Sequence, residues 1–101
     1  MRGGISVAIP NWNGEAVLPL SLASVVEALD ASNAPTPWEI VVVDDSSTDA
    51  SAEIVRTRFP AVKWLPLPRR SGFVAAANAA VSACTNDYVL LLNNDAAVDT
   101  D

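Results

Sequence analysis

An α/β fold built on a parallel sheet is the architecture this sequence predicts. Four short apolar runs alternate with three segments of helical periodicity, and two of the runs are almost unbroken Val, Ile and Leu. Unbroken apolar strands suit a sheet covered on both faces, which is the parallel arrangement. Strands alternating with helices give β-α-β-α-β-α-β, a layered α/β unit. Right-handed crossovers then favour the strand order 3-2-1-4, with the switch point between strands one and four.

Each element has its own sequence signal. "ISVAIP" from Ile5 is the first strand. The first helix runs from Leu18, with Leu22, Val25, Val26 and Leu29 on one stripe and Glu27 and Asp30 pointing elsewhere. Pro19 places the start of that helix close by, since proline fits a first turn and breaks an interior. "ASNAPTP", residues 31–37, is a loop inside one domain, and "WEIVVV" from Trp38 is the second strand. The second helix is expected to start between Ser47 and Asp49, because Ser46-x-x-Asp49 resembles a capping box. It carries Ile54, Val55 and Phe59 inward and stops before Pro60. "VKWLPL" from Val62 is the third strand. The third helix, about Gly72 to Ala83, is crowded with alanines that let it sit close to the sheet. "DYVLLL" from Asp87 is the fourth strand. Trp38 and Trp64, lying within strands, read as core residues.

Composition excludes several classes of function. The 101 residues allow one domain with one core. Twelve acidic residues against six basic ones give a formal net charge of −6. No basic stripe exists to replace counterions, so a nucleic acid is not the expected partner. The absence of histidine removes Ser-His catalysis and histidine metal ligands. A single cysteine, Cys84, permits neither an intrachain disulfide nor a cysteine zinc cluster, and it reads as an inert buried thiol. No apolar run approaches the ~20 residues of a membrane helix, and Met1-Arg2-Gly3-Gly4 lacks the layout of a signal peptide. A cytosolic location is the expectation.

Ligands of open parallel sheets bind beyond the carboxyl ends of the strands, near the switch point. Pro10-Asn11-Trp12-Asn13 follows strand one, Asp44-Asp45 strand two, Arg69-Arg70 strand three, and Asn93-Asn94-Asp95 strand four. The aspartate pair alone would read as a turn and a helix cap, but four strand ends converging on one rim favour a ligand site. There Asp95 can offer oxygen to a hard cation that bridges diphosphate oxygens. Asn94 has both donor and acceptor for a ribose hydroxyl. Trp12 can lie against a base, and Asp45 can accept a hydrogen bond from a ring N–H.

Together "SVAIPNWNG", "IVVVDDSSTDAS", "SGFVAAANAAV" and "DYVLLLNNDAAV" resemble the nucleotide-binding half of a family 2 glycosyltransferase of GT-A fold, from about Ile5 to Val98. The resemblance implies a Rossmann-like parallel sheet of order 3-2-1-4 with flanking helices, here a truncated GT-A domain forming one nucleotide-sugar-binding unit over residues 1–101. It implies inverting sugar transfer from a nucleoside-diphosphate sugar to a glycan or lipid-linked acceptor, with Mn²⁺ or Mg²⁺ on the diphosphate. Carried over, Asp45 contacts the base and Asp44 is its more structural neighbour. Pro10, Asn11 and Trp12 line the nucleoside pocket, Asn94 lies near the ribose, and Asp95 holds the metal. The Leu-Asn-Asn-Asp form is most similar to the rhamnosyl- and galactofuranosyltransferase branch of surface polysaccharide synthesis. A longer protein of that kind would work in the cytoplasm, at the inner membrane face.

The sequence also departs from that pattern. Arg70 stands where the branch has asparagine, and Ala80 where it has glycine. Arg70 either reaches the diphosphate or is simply solvated. Asn78 either approaches the nucleotide or bonds a nearby loop. The chain stops at Asp101, short of the expected acceptor half and its catalytic base, and Asp99 and Asp101 read as tail charges. Such a piece is expected to bind nucleotide without transferring sugar, and to self-associate through an exposed fourth strand. A non-catalytic nucleotide-binding module is the alternative. A receiver domain would need its acidic pair after strand one, and a dinucleotide-binding dehydrogenase would need G-x-G-x-x-G there, which "PNWNGE" does not supply. A nucleotidyltransferase would show a glycine-rich basic first loop, which is absent.

Overall fold

The computed structural model describes residues 4–31 and 37–96. Along them run β1 (Ile5–Asn11), α1 (Leu18–Ala31), β2 (Trp38–Asp44), α2 (Ser51–Arg58), β3 (Lys63–Pro66), α3 (Phe73–Ser82) and β4 (Tyr88–Leu91). The strands form one parallel sheet in the order β3-β2-β1-β4, as the alternating pattern predicts. The expectations placed on Met1 to Gly3, on residues 32–36 of the 31–37 loop and on Val98, Asp99 and Asp101 lie outside the described residues.

Burial on two faces accounts for the apolar runs of the central strands β1 and β2, whereas β4, the other unbroken run, lies at the sheet edge with every residue exposed. Val7 and Ile9 of β1 and Ile40 and Val42 of β2 pack with Leu18, Leu22 and Val25 of α1 and Val55 of α2. The intervening residues Ala8, Val41 and Val43 pack with Ala76 and Ala80 of α3. Successive side chains of a strand point to opposite faces, so each central strand needs apolar residues at every position. On the α3 side both partners are small: Ala76 and Ala80 are buried, and the helix lies close to the sheet. Trp38 and Trp64 are partly buried against the first cluster, in keeping with a packing role. Cys84 is half-buried and donates to the Ala80 carbonyl at 3.2 Å. Burial pushes its thiol pKa up, as an inert thiol requires.

α2 corrects the sequence expectation. It starts at Ser51, and no Ser46–Asp49 capping box forms. Ser46 takes a left-handed φ of 63°, which turns the chain away from helix. Asp49 instead accepts the Ser51 N–H and hydroxyl through Oδ1 and the Glu15 N–H through Oδ2. Its carboxylate therefore ties the loop after β1 to the start of α2.

At the amino ends of the strands one carboxylate joins three strands. Glu39 of β2 accepts from Ser6 Oγ of β1 at 2.6 Å, from Lys63 Nζ of β3 at 2.5 Å, and from the Thr85 N–H and hydroxyl after α3 at 2.6 and 2.9 Å. Burial raises the Glu39 pKa, but bonds from Lys63, Ser6 and Thr85 outweigh burial and hold it at about 2, against an ordinary 4.5. A depressed carboxylate pKa adds stability above the unfolded value, and that stability is lost as pH falls through the folded one. The chain is therefore expected to lose stability as pH falls from about 4.5 toward about 2. Glu39→Gln should cost about 1–3 kcal/mol near pH 7 in urea denaturation, from lost charge-assisted bonds. The variant should show a flatter acid dependence over that window; an unchanged acid limb would assign it to other carboxylates.

Candidate functional site

The carboxyl ends of all four strands are fixed by bonds that continue past β2, β3 and β4. Asp45 N–H donates to the Asn11 carbonyl at 2.8 Å, Leu67 N–H to the Asp44 carbonyl at 2.8 Å, and Leu92 N–H to the Ala8 carbonyl at 2.9 Å. Beyond this rim lies an open cavity of about 200 Å³. Its walls are Pro10, Asn11 and Trp12 after β1, Asp45 after β2, Arg70 from the β3–α3 loop, Phe73 and Ala76 of α3, and Asn94 after β4. Six residues singled out in the sequence are thus brought together.

The aspartate doublet is divided by the strand's alternation. Asp44 lies on the α1/α2 face with Ile40 and Val42, and Asp45 on the α3 face with Val41 and Val43. Asp44 is buried. Its Oδ1 accepts from Asn11 Nδ2 at 3.0 Å and from Ser47 Oγ at 2.5 Å, and its Oδ2 from Ser47 N–H at 3.0 Å. Asn11 in turn accepts from Asn94 Nδ2 at 2.9 Å. A polar chain therefore runs from Asn94 through Asn11 to Asp44, orienting groups that line the cavity while Asp44 itself stays behind them. Among the described residues no donor reaches Asn94 Oδ1, which leaves that oxygen for a ligand hydroxyl.

Asp45 organises the other wall. Its Oδ1 accepts the Ser71 N–H at 2.6 Å, and its Oδ2 accepts the Gly72 N–H at 2.9 Å and Arg70 Nε at 2.8 Å. Burial raises its pKa, but these bonds from Ser71, Arg70 and Gly72 prevail and hold it below the usual carboxylate value. Gly72 has a φ of 98°, a conformation that suits a residue without Cβ and aims its N–H at the carboxylate. The Arg70 guanidinium carbon lies 3.8 Å from the centroid of the Trp12 ring. Arg70 is therefore held at the cavity wall by Asp45 and Trp12, with the rest of its side chain open to solvent.

Four residues were given no individual role by sequence reasoning. Asn13, with a left-handed φ of 49°, accepts the Thr48 N–H and donates its own N–H to Ser47 Oγ, each at 2.8 Å. Glu15 accepts the Ala50 N–H at 2.8 Å, so the loops after β1 and β2 are laced along their length. Gly14 is enclosed: a Cβ there would overlap the amides of Asn11 and Asn94. Phe73 completes the wall from α3, in the "SGF" segment whose glycine and aromatic were the available signal.

Two predicted residues do not join the group. Asn78 is exposed on α3, whereas Phe73 and Ala76 are the residues of that helix that face the cavity. A helix turns 100° per residue, so position 78 lies about 200° from position 76 and faces away from the cavity. Asp95 is exposed on the turn after β4, beside cavity-lining Asn94. Among the described residues no three carboxylate or thiol groups gather as a metal cage. A single carboxylate still fits a hard cation of the Mg²⁺ or Mn²⁺ kind, which takes few protein ligands and completes its shell with phosphate oxygens and water.

The fold that carries this cavity is shared with known proteins. S. aureus TarS residues 1–349 in complex with UDP superimpose with a TM-score of 0.81 at 28% identity, over 97% of the chain and 29% of that 1–349 chain. The mannosyltransferase PcManGT from Pyrobaculum calidifontis, in complex with GDP-Man and Mn²⁺, gives 0.67 at 26% identity, over 96% of the chain and 29% of that protein. An undecaprenyl-phosphate 4-deoxy-4-formamido-L-arabinose transferase of Aeromonas hydrophila is 33% identical over 95 residues, 90% of the chain. A dolichyl-phosphate β-glucosyltransferase of Trichomonas vaginalis is 30% identical over 103 residues, 96% of the chain. The chain spans 28% and 32% of the lengths of these two relatives. The profile of glycosyl transferase family 2 matches residues 6–101, and the chain belongs to that family.

Proposed function

We propose that the cavity is the nucleoside end of a donor site for a nucleoside-diphosphate sugar. The observation that carries this reading is the meeting of an aromatic face (Trp12), a buried carboxylate (Asp45) and an amide with an open oxygen (Asn94) around one small cavity. A volume of about 200 Å³ is below the usual range for a whole small-molecule ligand, and it suits a base and part of its ribose. Trp12 supplies a stacking face, Asp45 an acceptor for a ring N–H, and Asn94 Oδ1 an acceptor for a ribose hydroxyl. Pro10 and Asn11 shape the floor, and Asp44 holds Asn11 in place.

Asp95 would hold the Mn²⁺ or Mg²⁺ beside the diphosphate, where a cation neutralises charge on the leaving group. Relatives that bind UDP, or GDP-Man with Mn²⁺, support a nucleotide with such an ion. In the proposed inverting reaction an acceptor hydroxyl oxygen bonds the anomeric carbon as the bond to the diphosphate breaks. The electron pair leaves on the nucleoside diphosphate, and the hydroxyl proton passes to a general base expected beyond Asp101. Among the described residues the one carboxylate lining the cavity is Asp45, and three donors already occupy it. The chain alone is therefore proposed to bind nucleotide without transferring sugar.

Undecaprenyl-phosphate and dolichyl-phosphate in the names of two relatives support a lipid-linked or glycan acceptor, used at a cytoplasmic membrane face. Among the described residues no helix is long and apolar enough to cross a membrane. Those relatives and the mannosyltransferase carry different sugars, so the proposed donor is a nucleoside-diphosphate sugar without assignment to one branch.

Calorimetric titration of UDP, dTDP and GDP, with and without Mn²⁺, tests this reading. At least one should bind, more tightly with metal; no binding by any of them would reject it. Asp95→Ala should remove the gain from Mn²⁺ while leaving metal-free binding unchanged. Asp45→Ala should weaken binding about tenfold or more with or without metal, as loss of a charge-assisted contact implies. Identical losses in both variants would dissolve the division of roles.

β4 forms one edge of the sheet, with Tyr88, Val89, Leu90 and Leu91 all exposed. Unpaired apolar edges associate, so we also propose self-association of the chain. Size-exclusion chromatography with light scattering should show a mass rising with concentration, and a constant monomer mass would count against it.

A further inference from the structure

The two groups assigned above to a nucleobase are already engaged by a side chain of the chain itself. The Arg70 guanidinium carbon stands 3.8 Å from the Trp12 ring centroid. That is contact distance for stacked planes, so no second ring fits between them. Arg70 Nε also donates to Asp45 Oδ2 at 2.8 Å, and the Asp45 side chain is only 3% exposed. A base N–H has no route to that oxygen while Nε holds it. A guanidinium and a nucleobase share what this pocket reads, a flat delocalised face and an N–H on its edge.

We propose that Arg70 is an internal competitor for the nucleobase: it fills the base subsite of the free chain, is displaced when nucleotide binds, and then presents its guanidinium to the diphosphate. This rests on the nucleotide-site reading and adds an exchange that the reading does not contain. Three observations make the exchange feasible. Asp45 keeps the Ser71 and Gly72 N–H donors throughout, so its buried charge is never left bare. The Arg70 side chain is 50% exposed, so both its stacking and its ion pair are weakened by solvent. The same two backbone bonds anchor the loop on either side of the exchange, and Arg70 stays beside the cavity mouth.

The exchange affects a nucleoside and its diphosphate differently. A nucleoside must displace Arg70 and offers the guanidinium nothing in return. A nucleoside diphosphate offers phosphate oxygens, which a guanidinium binds with paired hydrogen bonds. Arg70 thereby sharpens selection of the diphosphate over the bare nucleoside. The position gains by being arginine and not a smaller amide, because only a planar cation can serve both places.

The test compares uridine with UDP, thymidine with dTDP, and guanosine with GDP, at constant Mn²⁺, on the chain and on Arg70→Gln. The variant should bind the nucleoside about 3–10-fold more tightly, the strength of an exposed cation–π contact and ion pair. Its preference for diphosphate over nucleoside should fall by about tenfold or more. A second arm needs no variant: the Arg70 Nε–H resonance should lose the shift that the Trp12 ring imposes as nucleotide saturates the chain. Should Arg70→Gln fail to fold, that resonance decides. An unmoved Nε–H signal at saturation, or nucleoside binding unchanged or weakened in Arg70→Gln, overturns the exchange and leaves the nucleotide site standing. No binding by any pair to either protein overturns both.

Discussion

Two adjacent carboxylates buried at the end of β2 are the constraint around which the rim is built. Asp44 and Asp45 are 5% and 2% exposed, and buried charges are tolerated only with dense hydrogen bonding. The strand's alternation sends them to opposite faces, so each recruits different donors. Asp44 draws in Asn11 and Ser47, which fixes the floor of the cavity and the tight turn after β2. Asp45 draws in Arg70, Ser71 and Gly72, which fixes the β3–α3 loop and the start of α3. What reads as electrostatic conflict in the sequence is how three loops from three strand ends acquire one shape.

The two ends of the sheet divide their work. Glu39 collects donors from β1, β3 and the segment after α3 at the amino ends, where those bonds tie the strands together. The carboxyl ends carry a comparable density of polar groups, but arranged around a space. Parallel strands make this division natural, because helices return the chain to the amino end each time and the carboxyl ends all open on one side. The amino-end cluster acts as a clamp, and the carboxyl-end cluster as a cradle with one wall movable.

Much of this was legible in the sequence because it depends on period and order. The unbroken apolar run of β2 marked a buried strand while that of β4 marked an exposed edge, alternation with helices gave the strand order, and strand order placed the rim. Within the rim, Asp45 and Asn94 each suit a plain turn, and they were identifiable with Trp12 because four strand ends converge there. Legibility failed where a side chain's partner came from a distant loop. Ser46-x-x-Asp49 has the letters of a capping box, but Asp49 bonds Glu15 and Ser51, and Ser46 is left-handed. Glu39 drew no reading from the sequence, since nothing local announces Lys63 and Thr85. Asn78 matched a motif, yet its position on the helix turns it outward.

Arg70 is the case where departure from pattern carried more information than agreement. With a formal charge of −6, the chain as a whole repels a diphosphate, and the field near the site must be corrected locally. Among the described residues Arg70 is the sole cation lining the cavity. Held against Asp45 it is largely neutralised, so the resting site is only weakly attractive to anions in general. Its charge becomes available where a ligand first supplies a flat ring to Trp12 and a donor to Asp45. Recognition of the base and attraction of the diphosphate are then linked through one side chain, because the guanidinium cannot occupy both places at once.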